Sequence, residues 1–272
     1  MPLRRTTAAI VGALALAACG SDDDGADATT TTDAAEPLAP ISILVTNDDG
    51  IGAPGIDVLV SGLLELEGVE IDIVAPAENQ SGSSDKTTEG GAPYSDAATA
   101  SGVEGTAVDG FPADTIAVAL DELGLAPDLV VSGVNEGQNT GPLAYVSGTV
   151  GAAREAVRRG VPAIAGSAGL DDGADYELAT ELIIQQIELH RAGYADGSDA
   201  ADEVVSINVP DCTAGEPRDL VEVPLASAIP DGVNPFESDC SIAETGAPAD
   251  DVAALAAGHP ALTLVPTEPT GG

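Results

Sequence analysis

The sequence predicts an α/β fold with a mostly parallel sheet and helices on both of its faces. Two observations carry this. Short apolar runs of strand length alternate with stretches whose apolar residues recur at helical spacing. The runs are apolar almost throughout, as strands buried on both faces must be. Alternating strands and helices then require parallel crossovers.

Taken in order, residues 41–46 read as a buried strand. Residues 55–67 place Ile56, Leu59, Val60, Leu63 and Leu64 on one helical face. Residues 69–75 alternate and stop at Pro76, a second strand. Residues 79–105 are rich in Gly, Ser, Thr and Ala and read as loop with space for a hairpin. A short strand at 106–108 precedes a helix over 111–123, with Asp114 near its start. Residues 128–132 form another buried strand. A helix over 149–159 is halted by Gly160 and Pro162. A strand at 163–166, a long amphipathic helix at 175–191 and a strand at 204–209 follow. The remainder, to about Val265, is strand-like and loop-rich. No internal repeat is visible.

Ligands of open α/β sheets bind beyond the carboxyl ends of the strands. The segments that follow the predicted strands are polar and Gly-rich: Asn47-Asp48-Asp49-Gly50, the 76–82 stretch through Ser81 and Gly82, the 133–139 stretch with Asn135 and Asn139, and Gly166-Ser167. They belong to one sheet edge. Asp48 and Asp49 are adjacent carboxylates there. Such a pair is either a solvated Asp-Asp-Gly turn or a cation site, because close like charges repel. Ser81 and Asn135 can add neutral oxygen ligands, and oxygen donors suit Mg²⁺, Mn²⁺ or Ca²⁺. Ser147-Gly148-Thr149 opens the 149–159 helix. It is either a simple N-cap or an anion seat on the helix terminus. A phosphate bridging a metal and that terminus would let an acidic protein handle an anionic substrate.

The chain needs such a device. It has 272 residues, 8 Lys+Arg against 46 Asp+Glu, and a net charge of −38. That surface repels nucleic acid and anionic membrane. Aromatics are 2% and Trp is absent, which argues against stacking platforms for single strands. The acids are spread along the chain, so the excess reads as a matter of solubility or a salty environment rather than catalysis. Arg154, Arg158 and Arg159 are expected to favour their helix's C-terminal dipole and pair with nearby acids. His190 is expected at the surface, and His259 is kept as a possible site member. Gly50, Gly52 and Gly55 do not follow dinucleotide spacing, and there is neither a P-loop nor a nucleophile elbow.

Residues 1–19 read as a lipoprotein signal. Arg4 and Arg5 precede an apolar run at 8–18 that is too short to span a bilayer. The run ends in Leu16-Ala17-Ala18-Cys19, which resembles a bacterial lipobox. Acylated Cys19 would anchor the protein on the outer side of the cell membrane. Residues 20–39 read as a disordered tether, 40–266 as the folded domain and 267–272 as a tail. In an oxidising compartment Cys212 and Cys240 are expected to pair, since no His or third Cys lies near them for a metal.

These loops carry a resemblance. Asn47-Asp48-Asp49-Gly50-Ile51 with Ala53-Pro54-Gly55 looks like the opening signature of the SurE family of survival-protein 5′/3′-nucleotidases. Val74-Ala75-Pro76 through Gly82, Val108 through Asp114, Pro127 through Gly141, Ser147 through Val150 and Ile207 through Pro210 agree in order and spacing. The resemblance covers roughly residues 40–266. It implies a Rossmann-like domain, an extended C-terminal oligomerisation region and a homodimer or higher homo-oligomer. It also implies metal-dependent hydrolysis of nucleoside 5′- or 3′-monophosphates, with one divalent ion, Mg²⁺ or Mn²⁺. The implied metal ligands fall on Asp48, Asp49, Ser81 and Asn135, with Asp48 and Asp49 also catalytic. Asn47, Asn139, Gly141, Ser147, Gly148 and Thr149 would line the phosphate site. Two positions depart from the family pattern. Val146 stands where a polar aromatic or His is usual, and Gln80 where a basic residue is common, with Lys86 a possible substitute. The alternative is a lipoprotein that captures nucleotides or phosphate without hydrolysis.

Overall fold

The computed structural model describes residues 38–170, 174–199, 202–243 and 246–268. The expected signal, Cys19 and the tether up to residue 37 lie outside the described residues, as does the tail beyond 268.

Strand β1 (Ile41–Thr46) lies fourth in a nine-stranded sheet, flanked in parallel by β2 (Val69–Pro76) and β5 (Leu129–Asn135). Its residues alternate between two cores. Ile43 and Val45 join the cluster built with α1 (Pro54–Leu63) and α4 (Tyr176–Asp196). Leu44 faces α2 (Pro112–Ala117) and α3 (Gly148–Arg158). Both faces are buried, which is why the strand reads as continuously apolar. Beyond β5 come β6 (Ala163–Ser167) and β7 (Glu203–Asn208), both parallel, then antiparallel β11 (Ala261–Pro266). On the other side β4 (Glu104–Val108) pairs with β2, and β3 (Tyr94–Ala98) closes that edge antiparallel to β4. The 79–105 stretch therefore does hold half of a hairpin.

Boundaries shift where local chemistry wins. Pro54 starts α1, and Gly55 packs against β5, where a Cβ would come within 1.9 Å of the Val134 carbonyl. The helix expected over 111–123 is α2 followed by a π-helical turn at Val118–Glu122. After Pro210 come short β8 (Cys212–Ala214), β9 (Val221–Glu222) and β10 (Ser238–Asp239), with β9 alongside β11. A helix with no expectation from sequence pattern, α5 (Asp251–Ala256), is capped by Asp250, whose carboxylate accepts from the Ala253 N–H. Cys212 and Cys240 are joined in a disulfide. Among the described residues no helix is long and apolar enough to cross a membrane.

Candidate active site at the carboxyl edge of the sheet

The chain turns from β1 to opposite sides of the sheet through β2 and β5, so a crevice opens at their carboxyl ends. Asp48 and Asp49 leave β1 into that crevice, and Asn135 ends β5 beside them. Asn47 makes the turn. Its amide donates to the Gly50 carbonyl at 2.9 Å and its oxygen accepts from the Gly50 N–H at 3.2 Å. The residue is fully buried, so Asn47, expected among the substrate contacts, shapes the loop instead. Gln80 N–H donates to the Asp48 carbonyl at 2.7 Å, which draws the 76–83 loop and Ser81 to the same place.

The two carboxylates differ. Asp48 is 2% exposed. It accepts from the Thr149 hydroxyl and from the backbone N–H groups of Gly148 and Thr149. Burial nonetheless pushes its carboxyl up from the ordinary value, with those bonds opposing. Asp49 is half-buried, and its oxygens accept from Asn79 Nδ2 and the Glu136 N–H, both at 3.0 Å. It is pushed up to about 6, first by burial and then by the charge of Asp48.

The Ser147–Thr149 turn is an N-cap, and its remaining donors are taken by a side chain of the protein itself. Ser147 Oγ accepts from the Val150 N–H at 3.1 Å as the N-cap of α3. The anion held by the helix terminus is the carboxylate of Asp48, because a desolvated charge must find donors. Gly148 permits this contact, since a Cβ there would lie 2.8 Å from Asp48 Oδ2.

A cleft of about 260 Å³ gathers Asp48, Ser81, Asn135, Asn139 and Ser147. A second of about 370 Å³ lies on the Asp49 side, lined by Pro54, Asn79, Glu136 and Tyr176 among others. A larger cavity, about 620 Å³ between residues 90–94 and 114–122, lies away from these strand ends. Convergence of polar loops, not volume, marks the site.

Other expected members land differently. Asn139 lines the cleft, its amide donating to Ser167 Oγ at 2.9 Å. Gly141 lies outside it; its N–H is taken by Asp251 Oδ2 at 2.8 Å. Asp251 also accepts from the Ala226 and Val252 N–H groups, and so ties the C-terminal segment to the 139–145 loop. No motif marks Asp251 for this role in the sequence; the signal that could have found it is Asp250-Asp251 opening an Ala-rich turn, a helix start. Lys86 is exposed and does not line the cleft. Arg154 is 1% exposed, far from the expected dipole role. It donates to Ser84 Oγ at 3.2 Å, lies 3.6 Å from Asp85 and stacks over Tyr145. It thereby braces the loop of Ser81 against α3. Arg158 and Arg159 do pair with acids, Asp85 and Glu155 respectively, each at 2.6–2.7 Å. His190 of α4 is a half-buried partner of Asp199, just past the helix end, and His259 is buried with Nδ1 2.8 Å from the Asp219 carbonyl. Neither lines the cleft.

The donor set suits a hard divalent cation. Two carboxylates resist ionisation in place, and the Oδ1 of Asn135, itself 7% exposed, is buried with no hydrogen-bond partner among the described residues. A cation would satisfy all three oxygens.

Fold and site together define an α/β protein with a dicarboxylate centre at the switch point of a parallel sheet. The family model for survival protein SurE matches residues 43–227. The chain belongs to the SurE family. It is 40% identical over 190 residues to a 5′-nucleotidase SurE of Brevibacillus brevis, covering 68% of this chain and 72% of the relative. It is 42% identical over 200 residues to a 5′-nucleotidase SurE of Halobacterium salinarum, covering 70% and 71%. The crystal structure of the SurE protein from Aquifex aeolicus superposes with a TM-score of 0.64 at 25% identity, over 85% of this chain and 95% of that one.

Proposed function

We propose that the chain hydrolyses phosphomonoesters of nucleosides, 5′- or 3′-monophosphates, with a divalent metal held by Asp48, Asp49, Asn135 and Ser81. The observation that carries this is the unpartnered Asn135 Oδ1 beside two carboxylates that resist charge. Relatives named as 5′-nucleotidases support the reaction and the substrate class. Mg²⁺ or Mn²⁺ would supply Lewis-acid charge against a phosphoryl oxygen.

The remaining roles belong to the chain. Thr149 and the α3 terminus hold Asp48 in one orientation through the Thr149 hydroxyl and the Gly148 and Thr149 N–H groups. Asn79 and the Glu136 N–H orient Asp49. Asp49 is the more accessible of the pair and takes the proton of the attacking water. Ser147 and Asn139, on the cleft wall, face the phosphoryl oxygens.

The test is phosphate release from 5′-AMP by the soluble domain with several divalent ions. Asp49→Ala is expected to abolish the metal-dependent rate. Tight AMP binding without turnover by the unaltered domain would favour the capture reading instead.

The same proposal places the protein outside the cell membrane, held by lipidated Cys19. Its support is the run at 8–18 that ends in Leu16-Ala17-Ala18-Cys19. A homo-oligomer is included on the family resemblance alone.

A further inference from the structure

Part of the wall of the cleft that holds Asp48 and Asn135 is polar, and part is apolar: Leu143, Val146, Leu170 and Phe236. Val146 is 53% exposed and Leu170 39%, so this wall shows apolar surface to solvent at the mouth of a charged site. Phe236 is one of only 2 phenylalanines in a chain without Trp. It is half-buried, and it belongs to none of the core clusters.

Phe236 is also held in place. Its N–H donates to Asn234 Oδ1 at 3.1 Å. Two residues later β10 begins, where the Ser238 N–H donates to the Asp211 carbonyl at 2.8 Å and β10 pairs with β8. The Cys212–Cys240 disulfide closes the same strap. The ring is thus carried on a cross-linked segment that comes from the far end of the chain.

We infer that Val146, Leu170 and Phe236 form the seat for the nucleobase of the substrate, with Phe236 the residue that selects nucleotides over phosphomonoesters that lack a base. This rests on the hydrolytic reading of the same cleft. A nucleoside monophosphate has the polarity of the cleft: a doubly charged phosphoryl group at one end and a flat π-face at the other. Stacking on an aromatic ring with apolar flanks binds any base and adds no charge. Val146 fits this role, since an apolar side chain next to Ser147 can contact a base.

The experiment has two arms. The first compares kcat/KM for 5′-AMP with that for ribose 5-phosphate, which keeps the phosphoryl group and lacks the base. In Phe236→Ala the ratio is expected to fall about tenfold. The second uses Phe236→Trp, which keeps the strap packed and creates the only indole of the chain. Adenosine is expected to quench its fluorescence saturably, and ribose is not. Quenching without any phosphate release by the unaltered protein would support the seat while removing the hydrolytic reading. Hydrolysis with an unchanged ratio and no quenching would overturn the seat and leave the hydrolysis intact. Fluorescence that follows protein concentration rather than adenosine would assign the wall to a second copy of the chain, and would also overturn it.

Discussion

The Thr149 hydroxyl, in the first turn of α3, donates to Oδ1 of Asp48 at the end of β1, 101 residues earlier in the chain. The bond joins the two halves of the site. It is buried on both sides, so neither partner can turn to water for compensation. Thr149→Val keeps the shape and removes the donor. The variant is expected to lose about 1–3 kcal/mol of stability, read by urea unfolding. Its affinity for Mn²⁺, read by calorimetry, is expected to fall as Asp48 loses its orientation.

The pH dependence follows from the carboxylate pair. Both groups are raised above the unfolded value of 3.8, Asp49 to about 6. Between those values the metal-free folded chain binds more protons than the unfolded chain, so the pair's contribution to stability falls as pH rises through that window. A cation binds only the deprotonated pair and reverses the trend. The rise in Tm on adding Mn²⁺ is therefore expected to be small near pH 5 and large near pH 7.5. An equal rise at both pH values would contradict the assignment of Asp48 and Asp49 as ligands.

The disulfide closes the loop between residues 212 and 240, a separation of 28. Loop-closure entropy for that length is about 3–4 kcal/mol. Cys212→Ser is expected to lower the unfolding free energy by about that amount, measured in denaturant against the oxidised parent. Because the loop carries Phe236, the same variant is expected to raise KM for AMP more than it lowers kcat.

Export and anchoring make a separate prediction. Cys19→Ala in the full chain is expected to abolish incorporation of labelled palmitate and to release the protein into the medium. Membrane retention of that variant would show that Cys19 is not the anchor.

Residues 41–46, 128–132 and 163–166 are legible as strands because burial on both faces demands apolar runs, whereas the continuation of β5 through Gly133 and Val134 to Asn135 is not, since polar and Gly residues there read as loop. Asp48, Asp49 and Asn135 were legible as a group because loops at one end of a parallel sheet must converge. The α5 helix was not, since six residues held by one cap leave little periodicity to read.

The sequence by itself determined the alternation of strand and helix, the edge at which chemistry gathers and the acidic pair at its centre. All of these follow from local pattern and the rules of parallel crossovers. Only the tertiary structure decided what each side chain does there. It turned the α3 terminus onto Asp48, took Asn47 and Gly141 into the scaffold, buried Arg154 behind the Ser81 loop and brought Phe236 over the cleft. The reason is physical. A buried charge or amide takes whichever partner packing brings to it, and, Asn47 apart, those partners lie scores of residues away, where no local pattern reaches.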